Sequence, residues 1–476
     1  MNRLFIIYIL ILISFFSCSD FLEETSQDLI VPKSVADFRE FLFGEAYLRN
    51  NVTIHTWLDV MTDDVKENIS GWSFGADTRV NAFGYYTWQK NPEETRSGGL
   101  NNDEAWATYY HSILICNVVL DAMDDMTGTE QEKITLKGET YALRGWCYFM
   151  LVNLYGKPYD ASTADKDMGV PLNEVVGMED RLFTRESVAT IYDQIEGDLK
   201  NAIECFKTSN LNQSVFRWNL PAVYLLASRV SLYKKDYDNA IEYASQVITT
   251  NPQLYDLSIM SESDYFINSK NPEILFTYGN DLITYFAQMA KCNFPASDEL
   301  ISSFGNDDND LRLTAFLYKR SSYYVANKAY APGTTGVYGF AFRTAEAYLN
   351  RAEAYAEIGE LEKALADLKT LRMNRLKVYE DLVAESQAEV ISHVRAERRR
   401  ELCFEFHRWF DLRRWDRPHL EHTYTPDITK PETVERYVLE KDDEAYTLPL
   451  PYSVVESDPL IEDIVRPNRF DVNASM

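Results

Sequence analysis

The chain has 476 residues, of which 46% are hydrophobic and 13% aromatic, enough to bury a large core and to exclude global disorder. Lys and Arg number 47 against 74 Asp and Glu, and the resulting net charge of −27 repels phosphate backbones and argues against nucleic acid as a partner. Tyr (31) and Phe (25) are abundant while Gly (19) and Pro (16) are sparse, a balance that suits packed helices with aromatic-rich loops better than a turn-rich β protein.

Met1-Asn2-Arg3 is a basic start, and Leu4 to Phe16 is almost wholly apolar. That run has signal-peptide length and falls short of the roughly 20 residues a spanning helix needs. Phe15-Phe16-Ser17-Cys18 follows, a small residue and then a cysteine directly after the apolar run, which resembles a bacterial lipobox. Residues 1–17 are therefore expected to be a lipoprotein signal peptide and Cys18 the lipidated start of the mature chain. Residues 18–30, polar and acidic, then form a tether. Cys116, Cys147, Cys205, Cys292 and Cys403 form no C-x-x-C pair and read as buried free thiols.

The body, residues 31–476, reads as one domain in which helical and irregular text alternate. Residues 63–99 are irregular and carry Trp72, Phe74, Phe83, Tyr85, Tyr86 and Trp88 among Gly, Asn and Asp. Helical text then runs over 102–255. Asp103–Met126 and Lys137–Tyr155 form a loose helix pair. Within the second, Ala142, Trp146, Phe149 and Met150 lie on one face and Leu143, Cys147, Leu151 and Leu154 on another, the pattern of a helix buried on most sides. Glu186–Phe206 is amphipathic. From Pro221 to Pro252, Tyr224, Ser228, Tyr237, Ala240 and Ala244 fall at the offsets of a tetratricopeptide repeat, a helix pair of about 34 residues. A second irregular block, 274–342, carries Tyr278, Tyr285, Phe286, Tyr323, Tyr324, Tyr330 and Tyr338. Helical text resumes over 341–416, where the repeat offsets return at Ala345, Tyr348, Ala352, Tyr355, Gly359, Ala364 and Leu368. Small residues at 228, 240, 352 and 364 let the paired helices approach closely. The distance between the two repeats in sequence predicts an interrupted array, not a continuous solenoid. Irregular blocks this long usually carry function. Pro418–Met476, with Leu448-Pro449-Leu450-Pro451, reads as an extended closing segment.

Ser386–Trp415 reads as one long helix. Glu397, Glu401 and Glu405 form an i+4 ladder with Arg398, Arg400 and Arg408 close by, and Val390, Val394, Leu402, Phe406 and Phe410 form the adjacent apolar stripe. Charge at this density is expected to tie the helix to neighbouring helices through ion pairs rather than to do acid–base chemistry.

With that run in place, the chain resembles the SusD/RagB family of outer-membrane nutrient-binding lipoproteins from Bacteroidetes over nearly its whole length. The resemblance is carried by Cys18 followed by Phe21-Leu22-Glu23-Glu24, by Trp106, Tyr110, Ile113 and Asn117, by Gly138 to Gly145 and Tyr155-Gly156, and by Tyr192 with Ile195 to Leu199. Ala345 to Leu349, Ala352 to Ala354, Glu397-Arg398, Glu401 to Glu405, Arg408 to Leu412 and Leu448 to Pro451 continue it in order. It implies a mainly α, SusD-like fold of tetratricopeptide-type helix pairs with an irregular, loop-rich second half. It also implies a lipid-anchored outer-membrane protein facing the cell exterior, which binds an oligosaccharide and passes it to a SusC-like TonB-dependent transporter. A peptide ligand is the alternative within the family. Neither catalysis nor a cofactor is implied, and a surface glycan hydrolase is the rival of another class.

A sugar site needs flat aromatic faces for the apolar side of each ring, and amides, carboxylates and Arg for the hydroxyls. The first block offers Trp72, Tyr85, Tyr86 and Trp88 with Asp64, Asp77, Arg79 and Asn81, and the second adds Tyr285, Tyr323, Tyr324 and Tyr330. The competing expectation for any one of these residues is that it pins its loop to the helical core. Gly71-Trp72-Ser73-Phe74-Gly75 matches G-x-S-x-G, but the text around it fits neither the strand nor the helix that a nucleophile elbow requires. Asn306 to Asp310 lacks the Gly and Glu of a calcium loop and reads as a solvated turn. There is no H-E-x-x-H, P-loop or Rossmann fingerprint, so no catalytic residue or metal ligand is assigned.

Overall fold

The computed structural model describes residues 32–47, 56–70, 78–177, 183–261, 264–268, 270–277, 293–305, 308–328, 341–458 and 460–472. Helix α1 (Val35–Glu45) opens on a capping box in which Ser34 and Asp37 each accept the other's backbone N–H. The short α2 (Thr56–Val60) and α3 (Thr78–Tyr86) follow, then α4 (Ala105–Asp121) and α5 (Glu130–Tyr155). The C-terminal two-thirds of α5 is buried almost all round, as its two apolar faces predict. Gly138 and Gly145 let α6 (Val188–Ser209) approach: a Cβ at Gly138 would stand 2.9 Å from the Cys205 Cβ, and one at Gly145 3.3 Å from the Asp198 Cβ.

The first predicted repeat is α7 (Leu220–Tyr233) with α8 (Tyr237–Thr250). The chain then leaves the repeats. It forms β1 (Ile274–Thr277), α9 (Asp298–Ser303), α10 (Arg312–Ala315), β2 (Leu317–Arg320), β3 (Tyr323–Ala326) and β4 (Ala341–Arg343), and returns as the second repeat, α11 (Thr344–Glu357) with α12 (Leu361–Arg372). Strands β1 and β4 pair antiparallel, as do β2 and β3. Ser228, Ala240, Ala352 and Ala364 are fully buried, and the Ser228 hydroxyl donates to the Ala240 carbonyl at 3.0 Å.

The expected interruption of the array exists only in sequence. Helix packing runs α4 to α5, α6, α7, α8, α11 and α12 without a break, because α8 lies directly against α11. Arg229 on α7 forks onto Glu346 on α11 at 2.6 and 2.7 Å, both side chains buried. Cys116, Cys147 and Cys403 are buried free thiols as expected, and Cys205 is half-buried.

The expected single helix over Ser386–Trp415 is two. Helix α13 (Gln387–Leu402) stops, Phe404 and Phe406 take left-handed backbone conformations (φ 57° and 64°), and a separate helix, α14 (Arg408–Arg414), starts after them. Two such residues cost about 1–3 kcal/mol each. The break takes Glu405 off the helical ladder and brings it to Arg343 (2.9 and 2.8 Å) and Lys328 (2.6 Å). Strands β5 (Leu420–Tyr424) and β6 (Glu435–Leu439) form the last ribbon, and α15 (Tyr452–Ser457) lies in the closing segment.

The three glutamates form the expected network, but with partners mostly outside the helical pairs. Glu397 meets Arg312 at 2.6 Å, Arg372 at 2.8 Å and Arg400 at 2.7 Å. Glu401 meets Arg343 at 2.6 Å, Arg375 at 2.9 Å and Arg312 at 3.1 Å. Glu273, just before β1, closes the ring onto Arg375 (2.6 Å) and Arg343 (3.2 Å). Burial alone would raise these carboxyls. The guanidinium charges outweigh it and hold Glu397, Glu401 and Glu405 below the usual carboxylate range. Arg343→Met leaves buried carboxylates short of a partner and is expected to cost about 3–5 kcal/mol in urea denaturation. Lys157→Ala, which breaks an exposed pair with Glu444, should cost at most about 1 kcal/mol in the same measurement.

Candidate ligand-binding site

The two aromatic-rich blocks meet along one seam. Residues 65–68 run antiparallel to 293–296: the Lys66 N–H donates to the Pro295 carbonyl at 3.0 Å and the Asn68 N–H to the Asn293 carbonyl at 2.8 Å. The Ala296 N–H donates to the Tyr324 carbonyl at 2.9 Å, which adds β3 to the seam. The Ser297 N–H and hydroxyl donate to the carbonyls of Asp64 (2.8 Å) and Asp63 (2.7 Å).

Side chains from the far end of the sequence fasten this seam. Arg408 on α14 forks onto Asp63 at 2.8 and 2.7 Å, and Arg399 on α13 reaches Asp64 at 2.6 Å. Burial would raise the Asp63 carboxyl, but the Arg408 fork holds it below its usual value. Glu67 accepts from Arg79 (Nε, 2.7 Å) and from the Thr425 N–H at 2.8 Å, just beyond β5. His422 on β5 is sandwiched between Tyr86 (4.2 Å, 13°) and Trp88 (4.3 Å, 22°). Its Nδ1 lies 2.7 Å from the Tyr86 carbonyl and its Nε2 3.0 Å from the Thr62 carbonyl. Tyr85 stacks on Trp57 at 4.8 Å, and the Trp88 indole donates to the Met61 carbonyl at 2.9 Å.

The model of the SusD family matches residues 122–465. The chain belongs to the SusD family. SusD-like protein P25 of Formosa agariphila is 22% identical over 254 residues, which are 52% of this chain and 46% of that protein, so the match spans under half of the relative's length. Among solved structures, a putative sugar binding protein from Bacteroides vulgatus superposes with a TM-score of 0.72 at 22% identity, covering 92% of this chain and 99% of its own. A SusD-like carbohydrate binding protein from the same species gives 0.69 at 19% identity, covering 90% and 97%. A SusD superfamily protein from Bacteroides thetaiotaomicron gives 0.71 at 21%, covering 91% and 100%. These likenesses establish the mainly helical SusD fold. Among the described residues no helix is long and apolar enough to cross a membrane.

Within that fold the twelve sequence-derived site residues separate. Trp88, Tyr85, Tyr86 and Asp64 are at most 1% exposed and Arg79 is 7% exposed. Burial corrects their assignment as ligand platforms: Trp57 covers the Tyr85 ring, His422 those of Tyr86 and Trp88, Arg399 takes one Asp64 oxygen and Glu67 takes Arg79, so they pin the loop. Tyr323, Tyr324 and Asn81 are half-buried. Tyr323 and Tyr324 sit opposite Arg320 and Lys319 across the β2–β3 ribbon, and the Lys319 ammonium lies 5.6 Å from the Tyr324 ring. Trp72, Asp77, Tyr285 and Tyr330 lie outside the described residues, as do Cys18, Cys292 and Gly71 to Gly75. In sequence, 71–77 follows Ser70 and 278–292 precedes Asn293, both at or next to the seam, while 329–340 follows Lys328, which is held by Glu401 and Glu405.

Sequence reasoning missed Tyr318, 58% exposed on β2, and the fasteners Arg399, His422 and Glu67. Arg399 and Asp64 are 335 residues apart, so nothing local signals the pair. The acidic turn before α10 also differs from expectation: Asp310 is buried and forks with Arg312 at 2.9 and 2.7 Å. Among the described residues no cluster of His, Cys, Asp and Glu is arranged to hold a metal.

Burial pulls His422 down to about 4, against the upward pull of the two carbonyls, so the imidazole is neutral at pH 7. Protonation favours the unfolded chain, and the ring's contribution to stability is lost as pH falls from about 6.5 to about 4. Despite its burial, Arg414 and Trp415 hold Glu353 at about 2, so its contribution is lost from about 4.5 to about 2. Asp103, raised by burial to about 6, and Asp59, raised to about 8, act in the opposite sense, so the ring's share is read by difference: between about pH 6.5 and 4 the urea midpoint of the parent chain should fall relative to that of His422→Phe, whose stacking ring does not titrate.

Proposed function

We propose that this chain is a cell-surface lipoprotein that captures a neutral oligosaccharide and delivers it to a SusC-like TonB-dependent outer-membrane transporter. Its lipid anchor is Cys18 and its ligand residues come from the two aromatic-rich blocks. The observation that carries this reading is the seam itself: residues 65–68, 293–297 and 324 are hydrogen-bonded together, so the two aromatic-rich blocks, far apart in sequence, are joined at one place. Family membership supports it, as does the likeness to two solved relatives described as sugar- or carbohydrate-binding proteins. The chemistry fits as well: tyrosine and tryptophan faces suit the apolar side of a pyranose, and Arg320, Lys319 and Asn81 suit its hydroxyls. A net charge of −27 disfavours a polyanionic glycan. The Glu397, Glu401 and Glu405 row is engaged by guanidinium groups and Lys328, which favours binding over bond cleavage.

The mature chain with Cys18 replaced by Ser, tested on a glycan array and then by titration calorimetry, should bind a neutral oligosaccharide saturably and release no new reducing ends. Trp72→Ala and Tyr323→Ala should each weaken binding by roughly tenfold, with thermal stability little changed. Binding of peptides alone would replace the ligand assignment, and new reducing ends would make the protein a hydrolase. The native chain should incorporate labelled palmitate at Cys18 and co-purify from membranes with a barrel transporter.

A further inference from the structure

A cleft of about 410 Å³ opens on the helical half, between the first turns of α4, the connection around Asn173 and α15. None of its lining belongs to the seam. Trp106 and Tyr110, one turn apart on α4, form a half-buried aromatic wall with ring centres 4.9 Å apart and planes at 51°. Both are fixed in place: Trp106 meets Tyr155 edge-on at 5.2 Å, and the Tyr110 hydroxyl donates to the Pro171 carbonyl at 2.6 Å. Phe183 closes the wall.

The polar groups facing this wall keep capacity for a ligand. Asp458 accepts one backbone N–H on each carboxylate oxygen, from Phe183 and from Leu460, both at 3.3 Å, and no cation pairs with it among the described residues. Each of those oxygens has a further lone pair. The Asn173 Oδ1 accepts from the Val175 N–H at 3.1 Å, while its amide N–H groups and the Trp106 indole N–H donate to nothing among the described residues. The cleft thus offers flat apolar rings, a carboxylate acceptor and amide and indole donors. That set matches the two sides of a sugar ring, and the volume lies near the small end of the roughly 300–1,000 Å³ typical of ligand pockets.

We infer that this cleft is a second carbohydrate subsite, separate from the seam, which takes a neutral pyranose unit against Trp106 and Tyr110 with its hydroxyls on Asp458 and Asn173. The inference rests on the glycan-binding reading. Cello-, malto-, xylo- and mannohexaose are titrated calorimetrically against the mature chain carrying Cys18→Ser, alone and with Ser457→Trp, Trp106→Ala or Trp72→Ala. Ser457 is on the exposed rim, so its tryptophan fills the cleft without disturbing the core. Two binding events are expected for at least one hexaose. Ser457→Trp and Trp106→Ala should each weaken one event at least tenfold and spare the other, and Trp72→Ala should do the reverse. Isotherms unchanged by Ser457→Trp and Trp106→Ala would overturn the second subsite alone. Failure of all four hexaoses to bind the parent chain would overturn the glycan reading together with it.

Discussion

Glu397, Glu401 and Glu405 carry the contact between the helical stack and the irregular half. A buried carboxylate is unfavourable unless its desolvation is offset by close, well-aligned charge. Here each is offset by guanidinium or ammonium groups within 3.1 Å, drawn from α10, β4, Arg372, Arg375, Arg400 and Lys328. A planar fork meets a carboxylate in one orientation, so the network sets the position of these segments as well as their adhesion.

The break after α13 extends that control to the seam. A helix continued through 403–407 would keep Glu405 on the same face as Glu401. The left-handed turns at Phe404 and Phe406 instead bring Glu405 to β4 and Lys328, while α14 sets Arg408 on Asp63. Arg399, one residue before Arg400 on α13, takes Asp64. The loop that opens the first aromatic block is thereby bolted to two helices whose own positions are fixed by buried pairs, the kind of rigid support that a binding surface needs.

Much of this was legible in the sequence, and the parts that were not share a cause. The helix pairs announce themselves through small residues such as Ser228, Ala240, Ala352 and Ala364 at fixed offsets, and the family is carried by motifs spread along the chain. The packing of α8 on α11 has no local signal, so an array continuous in space reads as broken. The stop at Leu402 is hidden because Phe406 and Phe410 continue the apolar stripe, and phenylalanine identity gives no hint of a positive φ. The first aromatic block shows the same limit: composition cannot tell an outward ring from an inward one. Tyr86 and Trp88 are buried because His422, which lies some 330 residues later, slots between them.

The excursion between α8 and α11 has a consequence for how such a protein can change. Its two ends are held together by helix packing, and inside it Glu273, Arg312 and Lys328 are pinned by the network. Between those pins, closure entropy grows only slowly, by about 0.6 kcal/mol for each doubling of loop length. A change in length between Thr277 and Asn293, or between Lys328 and Ala341, therefore begins and ends on residues that the frame already holds. Descendants of one scaffold can thus differ in the length of those stretches at little cost in folding free energy.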